Sequence, residues 1–258
     1  MKRLVGLIAA LVLGLAASGC GSTGSPASSE KTLQVFAAAS LNKTFTELAS
    51  KFEASHPGVK VLFNFDGSSG LVDQLTGGAK ADVFASADEN NMTKAVNAKL
   101  TTGEPTIFAR NILTLVTAPG NPKKITGMDD SLNGVKLVIC APEVPCGNAT
   151  QQLAKKLGVT LKPVSEETKV TDVLGKVEPA EGKDVGEADA GIVYVTDAKG
   201  AGDKVETVPI KGADQVVNNY PIAVLAGAPQ PALAAEFMTL VTSQTGKDVL
   251  DAAGFITP

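Results

Sequence analysis

"LQVFAAAS" at residues 33–40 and "FDGSSGL" at residues 65–71 each carry an apolar run into small residues and serine, just before a helical pattern begins. After the first, Leu41, Phe45, Leu48, Ala49 and Phe52 recur at the spacing of one apolar helix face, and His56-Pro57-Gly58 ends the pattern. Residues 59–65 alternate and are rich in β-branched and aromatic side chains, which predicts a second strand; Leu71, Val72 and Leu75 then open a second helix that stops at Gly77-Gly78. "ADVFAS" at 81–86 reads as a third strand and residues 90–98 as a third helix. A βαβαβ series of this kind predicts a parallel sheet covered by helices on both faces.

The rhythm continues outward. "NILTLVT" (111–117), "VKLVICA" (135–141), "AGIVYVT" (190–196) and "YPIAVLA" (220–226) read as strands, with helices at about 148–157, 171–177, 231–242 and 244–253. Seven or more strands exceed one mononucleotide-type unit, and the length fits two α/β domains with no Pro/Gly/Ser-rich linker between them.

The first twenty residues have the form of an export signal: Lys2 and Arg3, an uncharged run over 4–17, then Ser18-Gly19-Cys20. The run is short for a membrane span. "AASGC" resembles a bacterial lipobox, so Cys20 is the expected lipidation site and the outer face of the cell membrane the expected location. Residues 21–31 are expected to be a flexible tether. Without Lys2 and Arg3 the chain carries 21 basic against 27 acidic residues, a net charge near −6, so nucleic acid is a poor partner. Arg110 is then the one arginine left, which excludes an arginine cluster as an anion grip.

Chemistry-bearing residues are sparse. His56 is the only histidine and stands in a turn beside proline, without the partners a triad or zinc site needs. No GxSxG elbow, Walker loop or GxGxxG occurs, so neither catalytic residues, a metal nor a cofactor is expected. The serine turns offer donors instead. A helix start presents backbone N–H groups without intrahelical partners, and can hold an anion with no formal positive charge. A serine there can equally be a plain helix cap. Two such turns in one βαβαβ unit put both helix starts at the same sheet edge, where ligands of open α/β folds bind.

"VFAAASLNKTFTELASKFE", "FDGSSGLVDQL", "GAKADVFASADENNM", "APEVPCG", "AGIVYVTDA" and "YPIAVLAG" together resemble the ModA family, the molybdate-binding proteins of ABC importers, in the same order through nearly all of residues 33–258. The resemblance implies a two-lobed periplasmic-binding-protein-like fold, each lobe a mostly parallel sheet flanked by helices, closing on one tetrahedral oxyanion that it delivers to a membrane permease. It places one lobe at 32–109 plus 221–258 and the other at 110–220, and implies a monomer. Carried over by position, Ser40 and Ser68 are expected to donate through hydroxyl and amide, with Ser69 as substitute for Ser68. Cys146 and Val173 would act through their backbone N–H, and Tyr194 through its hydroxyl.

Cys140 and Cys146 are the only cysteines besides Cys20, and in an exported chain the pair is expected to form a disulfide. A site of donors alone would accept a fully deprotonated dianion such as molybdate or tungstate, and reject a protonated phosphate, whose O–H would lack an acceptor. Asp172 beside Val173 is expected to cap its helix. A sulfate-type or tungstate-selective binding protein is the near alternative; a serine hydrolase or a surface lipoprotein with no small ligand are the distant ones.

Overall fold

The structure is a computed structural model that describes residues 31–258. The expected signal, Cys20 and the tether up to residue 30 lie outside the described residues. Two five-stranded sheets carry the fold. The first contains β1 (Lys31–Ala38), β2 (Val59–Asp66), β3 (Val83–Ala85), β4 (Thr101–Asn111) and β10 (Asn218–Leu225), in the order β2-β1-β3-β10-β4. The second contains β5 (Leu113–Thr117), β6 (Leu137–Cys140), β7 (Ser165–Glu167), β8 (Ala190–Tyr194) and β9 (Glu206–Val208), in the order β7-β6-β8-β5-β9.

Both sheets are mixed on the same plan. β2-β1-β3 and β7-β6-β8 run parallel, as the βα rhythm predicts, while β10 and β4 in one sheet and β5 and β9 in the other pair antiparallel. The chain passes between sheets at Ile112, directly from β4 into β5, and returns between β9 and β10. β4 was not expected from sequence: Gly103 and Pro105 mark it as a poor strand former, and it is tolerated because it lies at the sheet edge.

Helices cover the first sheet on both faces. α1 (Asn42–Ser55) buries the predicted Phe45, Leu48, Ala49 and Phe52 stripe. Phe45 meets Phe63, Phe108 and Phe237 at ring-centroid distances of 6.4, 5.7 and 5.9 Å, the last from α7 (Pro231–Thr242), against which α8 (Gln244–Ala253) packs. On the other face α2 (Ser68–Thr76) and α3 (Glu89–Asn97) enclose Phe36, Leu71, Phe84 and Met92. The second sheet is packed by α4 (Pro145–Leu157), α5 (Val170–Val177) and α6 (Val195–Ala201).

Cys140, the last residue of β6, is joined to Cys146 in the first turn of α4 by a disulfide, with Cα atoms 5.7 Å apart. Closing so short a loop removes about 2 kcal/mol of unfolded-state entropy in the chain-entropy model. Reduction should therefore lower the melting midpoint by about 5 °C, measured by thermal unfolding with and without reductant.

Candidate functional site

Five parallel strand ends approach one another across the two sheets. β1 ends at Ala38 and enters a 3-10 turn over Ala39–Leu41 before α1; β2 ends at Asp66 and α2 starts at Ser68 after Gly67. From the second sheet, β6 leads to α4 at Pro145, β7 to α5 at Val170 and β8 to α6 after Tyr194. Segments 38–40, 66–68 and 144–146 meet Ala87, Val170 and Tyr194 around a narrow cavity of ≈ 10 Å³.

Its chemistry is that of unpaired donors. Leu71 is the first amide of α2 to return to Gly67 O (3.0 Å), so the N–H groups of Ser68 and Ser69 precede the helical ladder. In α4 the Asn148 amide returns to Val144 O (2.9 Å), leaving those of Cys146 and Gly147 ahead of it; Pro145 has none to satisfy. In α5 the Asp172 amide donates to Lys169 O (3.2 Å), leaving those of Val170 and Thr171. None of these three helices has a side chain capping its start. Serine therefore does not act here as an N-cap: Ser68 lies one residue inside α2, and Gly67 is the cap.

Three hydroxyls complete the set. Ser68 is fully buried, and its Oγ accepts the Ala87 N–H (3.0 Å). Ser40 Oγ lies 3.0 Å from Tyr220 Oη. The Tyr194 hydroxyl accepts from Asn218 Nδ2 (3.0 Å), and burial, helped by nearby Tyr220, Asp88 and Asp197, pushes its titration well above the ordinary phenol range. It stays protonated. Ser69 does not line the cavity.

Val173 does not line the cavity either. One turn into α5, it donates its amide to Lys169 O (3.4 Å), and its side chain is wholly buried, with Cγ1 2.8 Å from where a Cβ on Gly191 would lie. Val170 occupies the cleft in its place. Asp172 does not cap: its carboxylate is half-exposed and lies 3.9 Å from Lys169 Nζ.

No lysine, arginine or histidine lines the cavity. Asp66 is the one charged lining residue, and its oxygens are occupied by Gly67 N–H (2.8 Å) and Gln74 Nε2 (3.1 Å). A larger groove, ≈ 440 Å³, lies alongside and shares Ala39 and Ser40. Asp197 lines it, pushed up to about 7 by burial against the opposing pull of the Tyr194 N–H (3.1 Å) and Lys43. The starts of α2, α4 and α5 do not converge there, and the smaller cavity is therefore the candidate site.

The chain matches the family model described as bacterial extracellular solute-binding protein over residues 33–256. It is 48% identical over 259 residues to the molybdate-binding protein ModA of Mycobacterium tuberculosis, covering 98% of this chain and 97% of that relative.

The chain belongs to the ModA family of bacterial extracellular solute-binding proteins.

Solved structures show the same fold. The Azotobacter vinelandii periplasmic molybdate-binding protein superposes on this ModA-family chain with a TM-score of 0.73 at 23% identity, covering 88% of this chain and 99% of that one. The sulfate-binding protein SubI of M. tuberculosis gives 0.69 at 21% identity, covering 87% and 86%. The fold alone thus does not distinguish the two oxyanions. A ModA-family chain is a binding protein and not an enzyme, and its serines have no base: His56 Nε2 lies 2.7 Å from Glu236, Nδ1 lies 2.8 Å from Phe52 O, and its ring stacks on Phe52. It is extracytoplasmic, and no helix among the described residues is long and apolar enough to cross a membrane.

Proposed function

We propose that this protein captures molybdate or tungstate between two lobes and delivers it to an ABC permease. The lobes divide at the two passages between sheets, so that the first comprises the strands through Asn111 together with those from Asn218 onward. The observation that carries the reading is the convergence of helix starts and hydroxyls from both sheets on a cleft without a cationic side chain. The donors are Ser40 and Ser68 from the first lobe, with the amides of Cys146 and Val170 and the hydroxyl of Tyr194 from the second. A dianion bridging them favours the closed form by its differential affinity. Lipidation at Cys20 would hold a monomeric carrier at the outer face of the membrane, near its permease.

Hydrogen phosphate is disfavoured because its proton would meet donors only. Sulfate has the same charge and shape as molybdate and is smaller, so the cleft must select it out by size. A sulfate-type protein is the second reading, because a cleft of donors alone suits a sulfate dianion as well as a metalate.

Thermal unfolding with each anion tests both. A ligand at about a hundred times its dissociation constant adds roughly 2.7 kcal/mol, which raises the midpoint by several degrees. Shifts with molybdate and tungstate alone support the metalate reading, a larger shift with sulfate the second reading, and no shift with any anion refutes both. Tyr194→Phe, which deletes one donor to a charged oxygen, should weaken molybdate about 10- to 100-fold by calorimetry.

A further inference from the structure

The last residue of β4 and the first of β10 are both asparagines, Asn111 and Asn218, and they face each other across the strand pair at the point where the chain leaves and re-enters the first sheet. Both are buried, at 1% and 6% exposure. Asn218 Nδ2 donates to Ala87 O (2.9 Å) and to Tyr194 Oη (3.0 Å). Asn111 Nδ2 donates to Thr196 Oγ1 (2.8 Å) and lies 3.5 Å from Tyr220 Oη, while its Oδ1 accepts the Ile112 N–H (3.0 Å).

Backbone groups settle which way each amide points. Ala87 O can only accept, so the atom of Asn218 beside it is nitrogen; the Ile112 N–H can only donate, so the atom of Asn111 beside it is oxygen. A nitrogen donor therefore faces each tyrosine hydroxyl. Tyr220 in turn lies against Ser40. Among the described residues, Tyr194 Oη, Tyr220 Oη and Ser40 Oγ have no hydrogen-bond partner except these amide nitrogens and one another. Tyr194 and Ser40 line the cleft and Tyr220 does not. With N–H donors facing the tyrosine lone pairs and no carbonyl or carboxylate to receive a proton, Tyr220 gives its proton to Ser40 Oγ, and Tyr194 and Ser40 direct their O–H bonds to the cleft.

We infer that Asn218 and Asn111 are positioning residues that set the direction of the Tyr194, Tyr220 and Ser40 hydroxyl bonds, so that the cleft presents protons and accepts none. This rests on the oxyanion reading above and adds what enforces its donor-only character. Neither asparagine touches the ligand; both act through the hydroxyls.

The experiment is calorimetric titration with molybdate of the full-length wild type and three variants. Asn218→Asp places an acceptor against Tyr194 and turns its proton away from the cleft; Asn218→Leu removes the donor without supplying an acceptor. Asn219→Asp adds the same charge one residue on, where the side chain bonds Arg110 and Glu89 instead. The expected result is about 10- to 100-fold weaker binding in Asn218→Asp than in Asn218→Leu, with Asn219→Asp within about threefold of wild type. Equal losses in the two Asn218 variants, or a loss in Asn219→Asp matching that in Asn218→Asp, would overturn the inference. If Asn218→Asp fails to fold, Asn111→Asp keeps an acceptor for Ile112 and reverses the Tyr220 end. It is expected to weaken molybdate by the same order, and unchanged affinity there overturns the inference. A wild type whose unfolding is shifted by none of molybdate, tungstate, sulfate and phosphate would instead refute the oxyanion reading itself.

Discussion

Gly67→Ala should leave the protein folded and lower its molybdate affinity about 100-fold. Gly67 caps α2 with φ −60° and ψ 139°, backbone that any residue adopts, so the constraint is space alone. A Cβ there would lie 2.1 Å from Thr168 O and 3.5 Å from Val144 Cγ1, both from the second sheet. No atom of the first sheet or its helices comes within 4 Å among the three nearest. The clash therefore exists only while the lobes are together. Moving Thr168 O out to ordinary contact needs more than an ångström of opening at the ligand, which parts donors contributed by opposite lobes. Raising the cost of the closed form by about 2.7 kcal/mol is a hundredfold in apparent affinity. Titration calorimetry reads the loss, and an unchanged melting midpoint of the ligand-free variant places the effect on closure. Wild-type affinity in Gly67→Ala would mean that binding does not require this approach.

Gly147→Ala should fail in the opposite way, through stability. Its Cβ would lie 1.9 Å from Ala141 O and 2.6 Å from Cys140 O, all within one lobe, so opening the cleft gives no relief. The loop cannot retreat, because the Cys140–Cys146 bond closes it and Ala141 N–H is held by Glu167 O (2.8 Å). A loss above about 4 kcal/mol is expected, beyond the ordinary range of single substitutions. For a chain of this size that is a fall of roughly 10 °C in the melting midpoint. Reductant should narrow the gap between variant and wild type by freeing the loop. A midpoint within about 2 °C of wild type would show that the turn has room to move.

The fold was legible because hydrophobic spacing decides it. The stripe of α1, the strand at 59–65 and the C-terminal helices 231–242 and 244–253 stand in the structure at the residues where periodicity puts them. What spacing misses is pairing that depends on the partner. β7 and β9 are three residues each, polar and exposed or half-exposed apart from the buried Val208, and they are strands only because β6 and β5 offer free edges.

The candidate site was legible to the same degree and no further. Ser40, Ser68, Cys146 and Tyr194 come together. In "KVTDVLG" two valines stand three apart on one helix face, and either could be the donor. The choice depends on where the helix begins, and Lys169 is a cap without side-chain bonding that leaves no mark in the sequence. Asn111 and Asn218 carry even less signal, since nothing in their neighbours foretells a tyrosine from another strand. The adjacency "NNY" at 218–220 was the only hint available.

The interleaving of the two sheets also bears on the order in which they can form. The five strands of the second sheet are contiguous in the chain, from Leu113 to Val208, whereas the first sheet lacks β10 until the last forty or so residues are present. β10 is not peripheral: it lies between β3 and β4, and without it β4 has no partner in the sheet. A polypeptide delivered N-terminus first can thus complete the second sheet while the first is still a three-stranded fragment with an open flank. The pairing of Asn218 with Asn111 closes that flank, so the strand pair next to the passage between sheets is finished last.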